Sequence, residues 1–414
     1  MAVSAFKGSF AKSTSGAPVD QAVTSVGFQP EVLIFWGTTQ TAEGYAAHAQ
    51  RTLGFASAAG VETVGSFGIE DGVNPSNSVR SHNDAKCISW YGTGLSILAE
   101  ADLKSFDADG FTVTWTTNNA NAYIIHFLAL AGDITNAFTA AFIMNNSLGN
   151  QSITAPGFQP DIVLFAAPVG GGGAYAASAA TNSGLGGFGA ATSATARWSI
   201  GGGDDDALSP TDTNSKISLT TVVEIFNTGG DHVGHADFVS MDVNGFTINV
   251  TDAAGFTPFI HYLCLKGGSY FVGNDTQKTS TGTKATTGVG FKPSAVLFGS
   301  NDSATTGSSV AGWTEVIGAG DGTNEGAIWT ENQDAVATSE VNQRTVTTKV
   351  LSMSTGVATT DAEADLTSLD SDGFTLDWTT ADATARAFGF IAFGPAAAGG
   401  ATIRRYSLTL TGVG

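Results

Sequence analysis

Three segments of this chain are apolar on consecutive positions: Val32-Leu33-Ile34-Phe35-Trp36, Ile162-Val163-Leu164-Phe165 and Ala295-Val296-Leu297-Phe298. A short run that is apolar on both faces suits a strand covered on both sides. Other segments alternate. In Phe111-Thr112-Val113-Thr114-Trp115 every second residue is apolar, and Phe246, Ile248, Val250 and Phe374, Leu376, Trp378 repeat the pattern. Period two marks a strand with one buried face. Three further apolar stretches, Tyr123 to Leu130, His261 to Leu265 and Phe388 to Phe393, read as strands that close each unit. Turn residues punctuate the intervals, as in antiparallel sandwiches. No window carries a sustained helical stripe. The segments 99–103 and 361–366 are expected to form at most one helical turn each.

Each doubly apolar run is preceded by the same phrase: Gly27-Phe28-Gln29-Pro30, Gly157-Phe158-Gln159-Pro160 and Gly290-Phe291-Lys292-Pro293. A second phrase follows later in each unit: Asp107-Ala108-Asp109-Gly110, Asp242-Val243-Asn244-Gly245 and Asp370-Ser371-Asp372-Gly373, each running into Phe-Thr. Two independent markers with a spacing of roughly 130 residues define a triplicated domain, since solenoid units are only about 20–50 residues long. The expected fold class is therefore all-β: three tandem antiparallel β-sandwich, jelly-roll-like repeats over 5–132, 136–268 and 269–395, with short connections. A tail, 396–414, carries one extra strand around Tyr406 to Thr411, suited to donation to a neighbouring sheet edge. The middles of the repeats diverge, with Gly170 to Gly173 and Gly201 to Asp206 in the second and Gly318 to Gly322 in the third. Constant ends and divergent middles suggest one scaffold presenting different loops.

Composition narrows the function. The chain has 414 residues, 37 acidic and 17 basic, for a net charge of −20. Such a surface repels phosphate, so nucleic acid is not an expected partner. No apolar run approaches the roughly 18–20 residues that cross a bilayer. Met1 to Gly8 lacks a basic-then-apolar leader pattern, so no signal peptide is expected. The two cysteines, Cys87 and Cys264, lie at non-equivalent places and read as small buried residues.

Candidate chemistry is sparse. Alternating carboxylates in the Asp-x-Asp/Asn-Gly phrases offer oxygen ligands to a hard cation, but strand follows at once and no distant bidentate Glu completes a loop. The phrase reads first as a hairpin turn in which Asp caps its own backbone. His126 and His261 share a position in their closing strands, where the third repeat has Phe388, which points to a core or contact role. His232 and His235 form the one close histidine pair, a possible transition-metal site or simply solvated side chains. Glu363 and Asp365 fall in an acidic patch without a reason for acid–base work. No Gly-x-Ser-x-Gly, His-Glu-x-x-His or phosphate-loop pattern occurs. No cofactor or enzymatic activity is expected. Three tryptophans in the divergent middles, Trp198, Trp313 and Trp329, are candidates for stacking on a sugar, whereas Trp36, Trp115 and Trp378 lie in core-strand patterns.

The recurring phrases, Gly-Phe-x-Pro before an apolar strand and then Ser105-Phe106-Asp107-Ala108-Asp109-Gly110-Phe111-Thr112, resemble repeats of virion structural proteins of tailed bacteriophages. Ser368-Leu369-Asp370-Ser371-Asp372-Gly373 follows closely, and the second repeat departs with Ser240-Met241-Asp242-Val243-Asn244-Gly245. The resemblance covers the ends of all three repeats and carries no functional residues across. It implies a non-enzymatic part of the virion assembled in host cytoplasm: an exterior capsid decoration protein or tail appendage. Its expected partners are other virion proteins and copies of itself. A receptor- or carbohydrate-binding fibre protein, with a host-surface glycan as ligand, is the alternative, and a glycan hydrolase is a third.

Overall fold

In the computed structural model, residues 3–92, 94, 96–169, 178–354, 356 and 359–396 are described, with backbone alone for 167–169 and 178–179. The expected C-terminal strand around Tyr406 and the Gly170 to Gly173 run lie outside them. The described residues contain no helix. The segments expected as single helical turns belong to strands Ile97–Asp107 and Ala362–Asp370. Burial alternates along Ala362 to Leu366, because pairing on both sides overrides the helical preference of Ala and Glu.

Among the described residues the strands form three seven-stranded and three four-stranded antiparallel sheets. The first seven-stranded sheet runs in the order Ser4–Ala11, Ile124–Ala131, Val32–Thr38, Ala49–Ala58, Val61–Ile69, Ser78–Asn83, and then Ser178–Asn182, a strand of the second repeat. The second ends with Val310–Ala311 from the third repeat, and the third ends with Gly44–Ala47 from the first. Each repeat thus gives its neighbour one edge strand, and the exchange closes on itself. The four-stranded sheets follow one order, the first being Val19–Thr24, Gly110–Thr117, Ile97–Asp107, Ile88–Tyr91.

The doubly apolar runs have cover on both sides because they separate two cores. Leu33 and Phe35 face the four-stranded sheet of their own repeat, while Val32, Ile34 and Trp36 enter a cluster shared by all three repeats. The same alternation holds for Val163 and Phe165 against Ile162 and Leu164, and for Val296 and Phe298 against Ala295 and Leu297. The three seven-stranded sheets therefore turn the faces opposite their four-stranded neighbours inward upon one shared core. At one end, the loops around Val73, Leu208 and Val336 tie the ring. Gly72 N donates to Ser339 O and Ser339 N to Val73 O. Ser76 N donates to Leu208 O and Ala207 N to Ser76 O. Thr211 N donates to Val336 O and Ala335 N to Thr211 O.

The two recurring phrases meet. Asp107 pairs with Gly110 across a two-residue turn, as Asp242 does with Gly245 and Asp370 with Gly373. In the outer repeats the second acid of the phrase accepts backbone hydrogen bonds from the first phrase: Gly27 N to Asp109 Oδ1 at 2.6 Å, and Gly290 N to Asp372 Oδ1 at 2.5 Å. The leading acid accepts from Ser and Thr hydroxyls, Ser105 and Thr112 for Asp107, Ser368 and Thr375 for Asp370. These carboxylates act as turn caps. A Cβ at Gly110, Gly245 or Gly373 would lie 2.0, 1.9 or 2.0 Å from the carbonyl oxygen of Val23, Ile153 or Thr286. The phrase requires glycine there because the next strand passes too close for a side chain.

Candidate functional site

Strand register aligns the repeats position by position. Phe35 pairs with Gly54, Phe165 with Gly189 and Phe298 with Gly318. Likewise Phe127, Tyr262 and Phe390 are equivalent, each opposite one of those phenylalanines in the closing strand. His126 and His261 are therefore matched in the third repeat by Gly389, one position along from the expected Phe388. These three positions lie on three equivalent seams, and each seam is filled differently.

At the seam between repeats one and three, Lys7 Nζ lies 3.3 Å from His126 Nδ1, and His126 Nε2 lies 2.9 Å from Thr345 Oγ1. An ammonium only donates, so Nδ1 accepts and Nε2 carries the proton to Thr345. Burial, followed by the Lys7 charge, pushes the imidazole well below its ordinary pKa, so it stays neutral. Burial also brings Lys7 down to about 8. At the seam between repeats two and one, the His261 ring centroid lies 5.6 Å from that of His82. Burial, then the neighbouring His82, takes His261 to about 3. At the seam between repeats three and two, Gly389 leaves a slot that Trp198 fills. A Cβ on Gly389 would sit 2.0 Å from Trp198 Cδ2, and Trp198 Nε1 donates to Phe390 O at 3.2 Å.

The tryptophans expected to be exposed for sugar stacking are buried. Trp198 and Trp329 are 0% exposed and Trp313 is 3% exposed. Trp313 packs 4.4 Å from Phe67 of repeat one and fills the space beside Gly186 and Gly202 of repeat two. Trp329 stands edge-on to Tyr45 of the donated strand at 5.6 Å, and its Nε1 donates to Asp302 Oδ2 at 2.8 Å. The divergent middles form the seams, so their aromatic residues work as wedges between repeats. Trp36, Trp115 and Trp378 are buried as well, and so are Cys87 and Cys264.

Two polar constellations remain. The first surrounds the histidine pair. A register skip at Val233 between the Val223–Phe226 and His232–Asp242 strands turns His232 and His235 toward the same side. Their rings stack at 5.7 Å. Glu224 completes the group: the nearest ligand atoms of Glu224, His232 and His235 lie within 4.8 Å of one another. His232 Nε2 is 2.6 Å from Glu224 Oε2, and Lys216 Nζ lies 3.0 Å from the same oxygen. Burial opposes ionisation of Glu224, yet the hydrogen bond from His232 and the Lys216 charge outweigh it and hold the carboxyl below its ordinary value. Glu363 and Asp365, read as a bare acidic patch, have ion-pair partners in Arg344 and Lys349.

The second is a pocket of about 480 Å³ at the seam between repeats two and three, lined by Ser215, Asn301, Asp302, Glu331, Asn332 and the donated Val310–Ala311 strand. Asp302 Oδ1, Glu331 Oε2 and Asn332 Oδ1 have no hydrogen-bond partner. Burial pushes both Asp302 and Glu331 up to about 7, with Asp302 adding to the rise at Glu331. Sequence reasoning missed this pocket, because its residues converge from two repeats and no local motif marks them.

No protein-family model matches this chain, and no curated protein matches it. No helix among the described residues is long and apolar enough to cross a membrane.

Proposed function

We propose that this chain is a non-enzymatic structural protein of a tailed-phage virion, a single-chain pseudo-trimer that decorates the exterior at a threefold position of the capsid or sits as a tail appendage. One observation carries the reading: each repeat lends an edge strand to the one before it, and the first lends one to the third, so the exchange closes. A ring of three like units presents three copies of one outer surface and matches a threefold lattice site. The reading takes each repeat as a jelly-roll-like sandwich, supported by nested pairing of its ends: first strand with last, second with penultimate. Partners are neighbouring virion proteins, met through the four-stranded outer sheets, whose edge strands such as Gly282–Thr287 alternate between half-buried and exposed residues. The net charge of −20 favours a protein partner with a basic face over nucleic acid.

Imaging the intact particle by cryo-EM tests this. Three lobes around a local threefold, fitted by the three repeats, are expected. Absence of the chain from purified particles overturns the reading.

A second reading, a carbohydrate-binding appendage, is favoured by the pocket at the seam between repeats two and three, whose unpartnered acceptor oxygens suit sugar hydroxyls. Titration of host-surface oligosaccharides against the chain and its Asp302→Asn variant separates the two. Saturable binding lost in the variant supports the second reading.

A further inference from the structure

We infer that Glu224, His232 and His235 form a binding site for a transition-metal dication of the zinc class, independently of the role proposed for the whole chain. Two imidazoles and one carboxylate suit zinc, cobalt(II) or nickel, whereas calcium and magnesium take oxygen ligands. The ligand atoms already stand within 4.8 Å of one another. Zinc bonded at about 2.0–2.2 Å to nitrogen and oxygen sets tetrahedral ligand atoms about 3.4 Å apart, so the 2.6 Å contact between His232 Nε2 and Glu224 Oε2 opens while the wider separations close.

The arrangement is also internally conflicted. His232 Nε2 lies 2.6 Å from Glu224 Oε2 and 3.3 Å from Lys216 Nζ. That nitrogen can donate to the carboxylate or accept from the ammonium, but not both. His235 Nδ1 is buried with no hydrogen-bond partner and is 3.8 Å from Asp252 Oδ2, beyond hydrogen-bond reach. A dication resolves both faults: Nε2 and Nδ1 become ligands and need no proton. Lys216 then stands as the competing internal cation and must swing away when the metal enters.

The supporting shell is in place. Glu224 Oε1 accepts from Thr221 Oγ1, which fixes the carboxylate and leaves Oε2 for the metal. Entry is open, since the His232 and His235 side chains are 14% and 26% exposed while that of Glu224 is 0% exposed. The bulge at Val233 has a purpose on this reading, because without it residues three apart on a strand face opposite sides.

The test is titration of the metal-stripped full chain with cobalt(II) at neutral pH, followed by its visible ligand-field bands, and with zinc by calorimetry. Saturable binding with tetrahedral-type bands is expected, lost in His232→Ala and in His235→Ala. The Lys216→Met variant is expected to bind at least roughly tenfold more tightly, the effect of removing about 1.4 kcal/mol of opposition. Circular dichroism and the thermal midpoint of each variant separate lost ligation from lost folding. Absence of binding to the wild-type chain overturns the inference, as does binding that survives both histidine substitutions. Binding seen only in Lys216→Met also overturns it, and assigns the cluster as a closed ion pair.

Discussion

Arg51 and Glu315 occupy the same position of the first and third repeats, three residues before the equivalent glycines Gly54 and Gly318, and they are bonded to each other. Arg51 Nε donates to Glu315 Oε2 at 3.0 Å and Nη2 to Oε1 at 2.5 Å. The third equivalent is Gly186, and Arg51 Nη2 also reaches Gly187 O of the second repeat at 3.3 Å. Arginine, carboxylate and glycine at one triplicated position make a join that three identical repeats could not make. The next inward position is Leu53, Phe188 and Ile317, all in the central cluster.

Removing one partner of this pair leaves a buried charge unmatched. Arg51→Met or Glu315→Leu is expected to destabilise the chain by about 3–5 kcal/mol, and the Arg51→Met/Glu315→Leu double variant to recover most of that loss. Denaturant midpoints of the four proteins form the cycle. Additive losses in the double variant would show that the two side chains act separately.

The wedge role of Trp198 predicts a structural defect. Trp198→Ala is expected to cost about 3–5 kcal/mol by opening a cavity at the seam between repeats two and three. Gly389→Ala should also destabilise, because the added methyl meets the indole ring at 2.0 Å. Thermal unfolding checks both. Unchanged stability with altered glycan binding would restore the surface role.

The turn phrase makes a positional prediction. Gly373→Ala puts a methyl 2.0 Å from Thr286 O at a φ of 141°, whereas Gly16 has open space around it. The first substitution is expected to destabilise by about 1–3 kcal/mol or more, and Gly16→Ala to stay within about 0.5 kcal/mol. Equal midpoints for the two variants would contradict this account of the turn.

Stability should fall as pH rises from about 4.5 to 7. Burial raises Glu62, Asp204, Asp302, Glu325 and Glu331 each to about 7, from ordinary values of 3.8 to 4.5. At these five carboxyls the folded chain holds protons in that window that the unfolded chain has released, so their contribution is full below it and is lost as pH climbs through it, outweighing the opposite contribution of the depressed His126 and His261. Glu224 and Asp382 are depressed, and their contribution is lost on acidification below about 4. The thermal midpoint is therefore expected to be higher at pH 5 than at pH 8. Asp204→Asn, which keeps the contact with Asn332 Nδ2, should flatten the profile. A midpoint that rises steadily from pH 5 to pH 8 would refute it.

Much was legible in the chain itself. The runs Val32 to Trp36, Ile162 to Phe165 and Ala295 to Phe298 announced strands covered on both faces, because an inward-facing polar residue at any of those positions would be buried without a partner. The Asp-x-Asp/Asn-Gly phrase announced a turn, since only local geometry and a passing strand decide it. The pair His232 and His235 could be noticed, but not Glu224 or Lys216, which lie on other strands and arrive through pairing and a bulge. What covers the inner face of Val32, Ile34 and Trp36 was beyond the sequence, for an apolar run states that it is covered and not by what. The exchanged strands, the wedges Trp198 and Trp313, and the Arg51–Glu315 bond are contacts between repeats. Local pattern does not encode them, because each half of the contact sits about 95 residues or more from its partner and acquires its meaning only when the ring closes.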